Sequence, residues 1–481
     1  MALLPRARCL CLLLWGQGHW TGIRQLTQIH AQMIVNGLCH ALPLSNLVKF
    51  YSTVLALDDV HLLYRQVEDH SMKRFIWNIM IRHTRPKEAI LLYANRGRDA
   101  MFLAPDKFTF IFILNACAHS SALWEGKQIH AQILKTIFAS DVAVQTTCVH
   151  FYARCRAIDS AHQLFDKIPF KSSVSWNVII SGYSSQGRRP IGYARKALVL
   201  FRAMLLESRP TDTTMVGLVS ACSHLGVLAA GSCMHGYIHK TIPLPEEHLF
   251  IGTALVDMYS KCGCLTSALQ VFERMKERNA LTWTAMITGF AIHGQGKEAL
   301  ELLDAMEVDN IVPNAATFTC LLSACCHTGL VEEGLHLFNS MSSRFGIKPC
   351  IQHYGCIVDL LGRAGLLEEA YKFIRHMPLK PDVILWRTLL SACKLHRNVV
   401  LGEKVGKLLL QLEHGSSDAS EKKTPTSEDY IALSNIYALA ERWEDVGALR
   451  GVMKVKGIQN EPGYSCIQVD KRVCEFIVNM N

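Results

Sequence analysis

The stretch ALTWTAMITGFAIHGQGKEALELLDAMEVDNIVPN, residues 280–314, decides the fold. Within it Trp283, Met286, Ile287 and Phe290 stand at i, i+3, i+4 and i+7, the apolar stripe of one amphipathic helix. Gly294 and Gly296 interrupt the pattern, Ala299, Leu302, Leu303 and Met306 restart it, and Pro313 stops it. The spacing predicts a helix–turn–helix unit about 35 residues long. Neither helix can bury its stripe alone, so units of this kind must stack on copies of themselves.

The copies are present. Tryptophan recurs at Trp77, Trp176, Trp283 and Trp386, at spacings of 99, 107 and 103 residues. A cysteine closing an apolar run falls at Cys117, Cys222 and Cys325, and an apolar–tyrosine pair at Phe50-Tyr51, Phe151-Tyr152 and Met258-Tyr259. His30, His130 and His235 keep the same phase. The markers share one super-period near 100 residues, which divides into three helical hairpins.

Composition bounds the function. Of 481 residues, 50% are apolar and 19% charged, enough for extended burial, and the net charge of +9 suits a polyanionic partner without singling one out. No apolar run reaches the roughly 18 residues of a membrane span. The eighteen cysteines sit inside apolar helical patterns and read as reduced core residues. No pair has C-x-x-C spacing and no H-x-E occurs, so a zinc ribbon or a deaminase-type zinc site lacks its ligands. Residues 1–57 hold no acid but contain Arg6, Arg8, Arg24 and Lys49. Such a start is similar to an organellar transit peptide; the rival is a secretory signal with Cys9–Trp15 as its apolar core.

The tetratricopeptide W-x-x-L-G-x-x-Y signature does not occur. Instead SVSWNVIISGYSSQG at 173–187 and ALTWTAMITGFAIHG at 280–294 resemble the opening helix of a pentatricopeptide (PPR) repeat. LFIGTALVDMYSKCG at 249–263 resembles the short type, and FTFIFILNACAHSSALWEGKQIHAQILK at 108–135 the long type. The chain thus resembles a plant pentatricopeptide repeat protein of the PLS subclass, whose units alternate as P, L and S. The resemblance implies an all-α, right-handed α-solenoid. Residues 1–21 would be the transit segment, 22–40 a partial L unit, and 41–382 the array. Its units would be S 41–73, P 74–106, L 107–141, S 142–172, P 173–211, L 212–248, S 249–279, P 280–314, L 315–350 and S 351–382. An insertion is expected around Arg189 to Tyr193.

Residues 383–414 and 429–463 resemble the two halves of the E motif, separated by a polar stretch, 415–428, that reads as a mobile insertion. The remainder, 464–481, alternates as YSCIQV and VCEFIV around Asp470-Lys471-Arg472 and predicts a short β-hairpin. Ser465-Cys466-Ile467-Gln468 departs from the S-W-I-E found there in the family, and no DYW deaminase domain follows, so the E subgroup is implied.

Residues 2 and 5 of each first helix share a face, and the last residue of a unit precedes the next first helix, so the three can line one groove. The resemblance implies that one unit reads one nucleotide through residue 5 and the last residue, while residue 2 wedges between bases. Asn78 with Asp106 would read uridine, and Asn177 with Thr211 a pyrimidine. Thr146 with Ser172 would read a purine, and Thr253 with Asn279 and Thr284 with Asn314 adenine. Phe75, Val174, Phe250 and Leu281 would be the wedges. Ile111 and Val216 offer no polar group, and Thr319 with Cys350 and Gly355 with Asp382 are left unassigned. Helix capping is the competing role for these Thr and Asn residues, and core packing the role expected of the tryptophans and recurrent histidines.

The function so implied is a non-enzymatic, sequence-specific binder of single-stranded RNA that needs no cofactor or metal and has no membrane partner. It would specify sites of cytidine-to-uridine editing in mitochondrial or chloroplast transcripts, with a DYW-type deaminase recruited in trans and editing-factor helper proteins as partners. A splicing or RNA-stability factor is the first alternative, a protein-binding scaffold the second.

Overall fold

The computed structural model describes residues 70–95, 104–185, 190–412, 427–456, 458, 463–469 and 472–478. The transit segment, the partial L unit, nearly all of the S unit at 41–73 and nearly all of the polar insertion at 415–428 lie outside the described residues. The chain divides at residues 230 and 231 into two compact units.

In the first, α1 (His70–His83) pairs with α2 (Pro86–Ala94), α3 (Lys107–Ser120) with α4 (Leu123–Ile133), α5 (Val142–Arg154) with α6 (Ile158–Lys167), and α7 (Ser173–Ser184) with α8 (Pro190–Glu207). Next comes α9 (Asp212–Leu225). The first helices form a row, α1 on α3, α3 on α5, α5 on α7 and α7 on α9. Within this row the apolar stripes expected from sequence are buried: Trp77 and Trp176 lie in the core, and the Trp176 ring meets Phe165 of α6 edge-on at 4.8 Å. A tryptophan covers about 150–250 Å² in such a contact, which is why the helix cannot stand without its neighbour. The insertion expected around Arg189 to Tyr193 is in part helical: α8 runs for 18 residues from Pro190, against 9 to 11 in α2, α4 and α6. Proline at a first helical position is favoured, its ring presetting φ.

The second unit follows the same plan. After α10 (Leu228–Thr241) and a 3-10 turn (Pro245–Glu247) come the pairs α11 (Leu249–Lys261) with α12 (Leu265–Arg274) and α13 (Ala280–Ile292) with α14 (Gly296–Val308). They are followed by α15 (Ala315–Thr328) with α16 (Val331–Ser343), α17 (Ile351–Arg363) with α18 (Leu367–His376), α19 (Val383–Leu395) with α20 (Val399–Leu412), and α21 (Ser427–Leu439) with α22 (Trp443–Val455). Here too the first helices stack in sequence from α11 to α21. In the deciding stretch Trp283, Met286, Ile287 and Phe290 are all buried, and Gly294 turns the chain at φ +69°, a conformation that disfavours any side chain. Cys117, Cys325 and Cys393 are core thiols; burial pushes them up to about 12, 11 and 12, which makes them inert packing groups.

At the end of the chain β1 (Gly463–Val469) pairs antiparallel with β2 (Arg472–Val478), Ile467 opposite Cys474, so the expected hairpin is present. Among the described residues no helix is long and apolar enough to cross a membrane.

Candidate functional site

Several units end on a residue whose side chain starts the next first helix. Asp106, Ser172, Asn279 and Asn314 accept a hydrogen bond from the amide three residues on, at Thr109, Ser175, Thr282 and Thr317. Such a cap is worth about 1 kcal/mol. The competing role foreseen for these residues is therefore real. It does not exhaust them, because the side chain three residues after the cap is itself a hydroxyl, and it points across to residue 5 of the preceding first helix.

At the α1–α3 junction Asn78 Nδ2 donates to Asp106 Oδ1 at 3.1 Å, and Thr109 Oγ1 donates to Asn78 Oδ1 at 2.6 Å. At the α7–α9 junction Asn177 Nδ2 donates to Thr211 Oγ1 at 2.8 Å, and Thr214 Oγ1 donates to Asn177 Oδ1. The other three candidate pairs do not touch directly. Thr146 Oγ1 meets Ser175 Oγ at 2.9 Å, and Ser175 Oγ meets Ser172 Oγ at 3.0 Å. Thr253 Oγ1 meets Thr282 Oγ1 at 2.7 Å, and Thr282 Oγ1 donates to Asn279 Oδ1 at 3.1 Å. Thr284 Oγ1 meets Thr317 Oγ1 at 3.0 Å, and Thr317 Oγ1 donates to Asn314 Oδ1 at 3.3 Å.

The five pairs thus sort by side-chain length. An amide at residue 5 spans the gap to the last residue; a threonine is too short, and the buried hydroxyl bridges for it. The bridging residues Thr109, Ser175, Thr214, Thr282 and Thr317 are all fully buried, so each leans on these bonds to avoid an unsatisfied polar group. The amide nitrogens of Asn279 and Asn314 make no hydrogen bond among the described residues, since only their oxygens hold the helix start.

The residue-2 set stands out from the core. Phe75, Val174, Phe250 and Leu281 are 45 to 73% exposed, each three positions before a residue 5 on the same helix face. Phe108 of the L unit at 107–141 and Ile384 of α19 share that position and are also exposed, although neither was picked out from sequence. Elsewhere the slot changes character. Ile111 faces no polar partner, and the bridging place is taken by buried Val144. Thr319 Oγ1 turns back to its own helix at Ala315 O, while His353 fills the bridging place and lies 3.0 Å from Cys350 Sγ. Around Gly355 a groove of about 740 Å³ opens, lined in part by Gln352, Asp382, Ile384 and Thr388.

The bridging hydroxyls were missed in the sequence. Their signal is there, in D-K-F-T at 106–109, S-S-V-S at 172–175, T-D-T-T at 211–214, N-A-L-T at 279–282 and N-A-A-T at 314–317. Taken one at a time these are ordinary helix caps, three of them capping boxes. Their second partner, 29 to 37 residues earlier, appears only when the helices stack.

Comparison with known proteins agrees with this architecture. The PPR repeat family matches residues 278–327, single PPR repeats match 174–188, 253–279, 316–344 and 353–380, and the E motif matches 396–468. Pentatricopeptide repeat-containing protein At3g18970 of Arabidopsis thaliana is 45% identical over 97% of this chain and the whole of its own length. Pentatricopeptide repeat-containing protein At1g59720, chloroplastic/mitochondrial, of the same organism is 38% identical over 89% of this chain and 68% of its own. Among solved structures, the pentatricopeptide repeat protein PPR10 in complex with an 18-nt psaJ RNA element superposes with a TM-score of 0.66 at 16% identity. That match covers 94% of this chain and 65% of the other, a likeness of fold.

Proposed function

Because this chain belongs to the pentatricopeptide repeat family, with an E motif after its array, we propose that it binds single-stranded RNA, one base per unit, along the row of first helices. The observation that carries this reading is the recurrence of one polar triad, residue 5, the last residue and the bridging hydroxyl, at five junctions. A triad needed only for helix starts would not require residue 5 to be polar. The two geometries differ as base readers should. The longer asparagine fills its slot and suits the smaller pyrimidine; the shorter threonine leaves room for a purine, toward which Asn279 and Asn314 can turn their unused Nδ2 donors. The exposed residues 75, 174, 250 and 281 offer apolar surface for bases to stack on.

Placing the last S unit four nucleotides before an edited cytidine, the recognised sequence reads, from position −12, U, any, purine, pyrimidine, any, A, A, any, any. The chain supplies recognition and no chemistry of its own; a DYW-type deaminase, recruited in trans through the E motif with helper proteins, converts the cytidine. That partner would supply the hydrolytic chemistry, adding water at C4 and releasing ammonia. Residues 1–21 are read as the address to the mitochondrion, the chloroplast being the alternative.

Two measurements test this. The full chain should bind that RNA better than a scrambled one, and Thr253→Val should weaken binding by roughly 1–3 kcal/mol and relax preference at one base. Equal binding to both RNAs refutes the residue assignment. In a plant lacking the protein, transcript sequencing should show one lost cytidine-to-uridine conversion at normal RNA abundance; loss of the transcript itself would point to the stability alternative.

A further inference from the structure

His130 and His235 hold the same place in two long units, and each sets its ring edge-on to a tyrosine of the following unit. His130 Nδ1 lies 3.0 Å from Tyr152 Oη, and His235 Nδ1 lies 2.8 Å from Tyr259 Oη. As packing pairs the two are alike. Around His235, however, two more ligand-type groups converge. One helical turn on in α10 is His239, where the residue after His130 at the same spacing is Leu134. From the 3-10 turn, Glu246 Oε1 reaches to 3.6 Å from His235 Nε2 and 2.9 Å from His239 Nε2, and one donor atom from each residue lies within 4.8 Å of the others. The turn can sit this low because residue 252 of α11 is glycine: a Cβ there would lie 2.9 Å from the Glu246 carbonyl oxygen.

Glu246 is only 4% exposed, yet its Oε1 and the His235 Nε2 are both buried without a hydrogen-bond partner among the described residues. The His239 nitrogen, though close, is not aligned to donate. Two buried polar atoms facing one another without hydrogen-bond partners are costly, and a cation between them would satisfy both. In the tautomer whose Nδ1 carries the proton toward Tyr259 Oη, His235 Nε2 turns its lone pair inward. Arg274 Nη1 stands 3.7 Å from Oε1, but its side chain is mostly exposed and can swing to solvent.

The geometry points to a divalent transition-metal site of the zinc type, formed by His235 Nε2, His239 Nε2 and Glu246 Oε1. Two imidazoles and a carboxylate are a borderline donor set that zinc accepts, and a tetrahedral zinc keeps its ligand atoms about 3.3 Å apart, between the two His–Glu separations. Tyr259 is the outer partner that fixes the first imidazole, and the exposed side of His239 leaves a position for water. An occupied site ties α10, the 3-10 turn and α11 together. It does not depend on the chain's binding RNA.

Cobalt(II) alone is the probe, added to the full-length, fully reduced, chelator-treated protein. One equivalent binds, with the visible absorption of a nitrogen–oxygen site and no near-ultraviolet sulfur-to-cobalt band. His239→Ala, at a half-exposed position whose loss spares the core, and Glu246→Gln each weaken binding at least tenfold. Zinc raises the melting temperature of the parent chain and leaves that of His239→Ala unmoved. Unchanged affinity in His239→Ala, a sulfur band that reports capture by the cysteines, or no binding at all overturns the site.

Discussion

The same slot between neighbouring first helices is filled in two ways. Between α11 and α13, Thr253, Thr282 and Asn279 make a neutral chain of hydrogen bonds that uses the asparagine oxygen and leaves its amide nitrogen over. Between α19 and α21, residue 5 is Arg387 and the bridging place holds Asp429, and the two form a two-pronged ion pair with Asp429 almost fully buried. A guanidinium bound to a carboxylate in parallel fashion has its strongest donors committed. The difference lies in the side chains: the Asn279 triad keeps a donor in reserve, whereas the ion pair closes the slot. The ion pair joins the two stretches, 383–414 and 429–463, that flank the polar insertion, a link that repeat spacing alone does not reveal.

The comparison can be broken most sharply at the ion pair. Arg387→Met removes the guanidinium from a buried carboxylate and should cost about 3–5 kcal/mol, measured by denaturant unfolding. Adding Asp429→Leu should recover most of it, and a single-variant loss below roughly 1 kcal/mol would show that water, not Arg387, satisfies Asp429. At the neutral junction Thr282→Val removes the bridge from both neighbours and should cost about 2 kcal/mol. In a cycle with Thr253→Val the two losses should not add; full additivity would mean that the hydroxyls do not interact.

Smaller effects separate binding from folding. Phe250→Ser, at an exposed position, should leave stability within about 0.5 kcal/mol, while RNA affinity falls by about 1–2 kcal/mol whatever the base at that step. A base-selective loss would instead make Phe250 a reader. Asn279→Ser keeps a capping oxygen and should change stability by only about 0.5 kcal/mol. It removes the reserve donor, so the preference for adenine at that one position should drop by about 1 kcal/mol; an unaltered preference assigns Asn279 to capping alone.

Much of this was legible in the chain. The stripe at Trp283, Met286, Ile287 and Phe290 is buried as its spacing requires, and the recurrent tryptophans and cysteines are core, because a one-sided apolar helix has one way to leave water. Of the five polar pairs, two are in direct contact, Asn78 with Asp106 and Asn177 with Thr211, and the other three are joined through a hydroxyl that lies between them. What escaped were the bridging contacts, whose second partner is remote and is not marked by the repeat positions. Thr282 read as a local capping residue until α11 brought Thr253 to it, and His235 read as a packing residue until a 3-10 turn lifted Glu246 to its other nitrogen.

The sequence by itself determined the repeat, the helices and the positions at which a groove can be polar, because periodicity and capping act within one turn of backbone. Only the tertiary structure decided what each polar position does, because a hydroxyl, an amide or a carboxylate takes its role from the atom opposite. Across these stacked helices that atom lies some thirty to forty residues away along the chain.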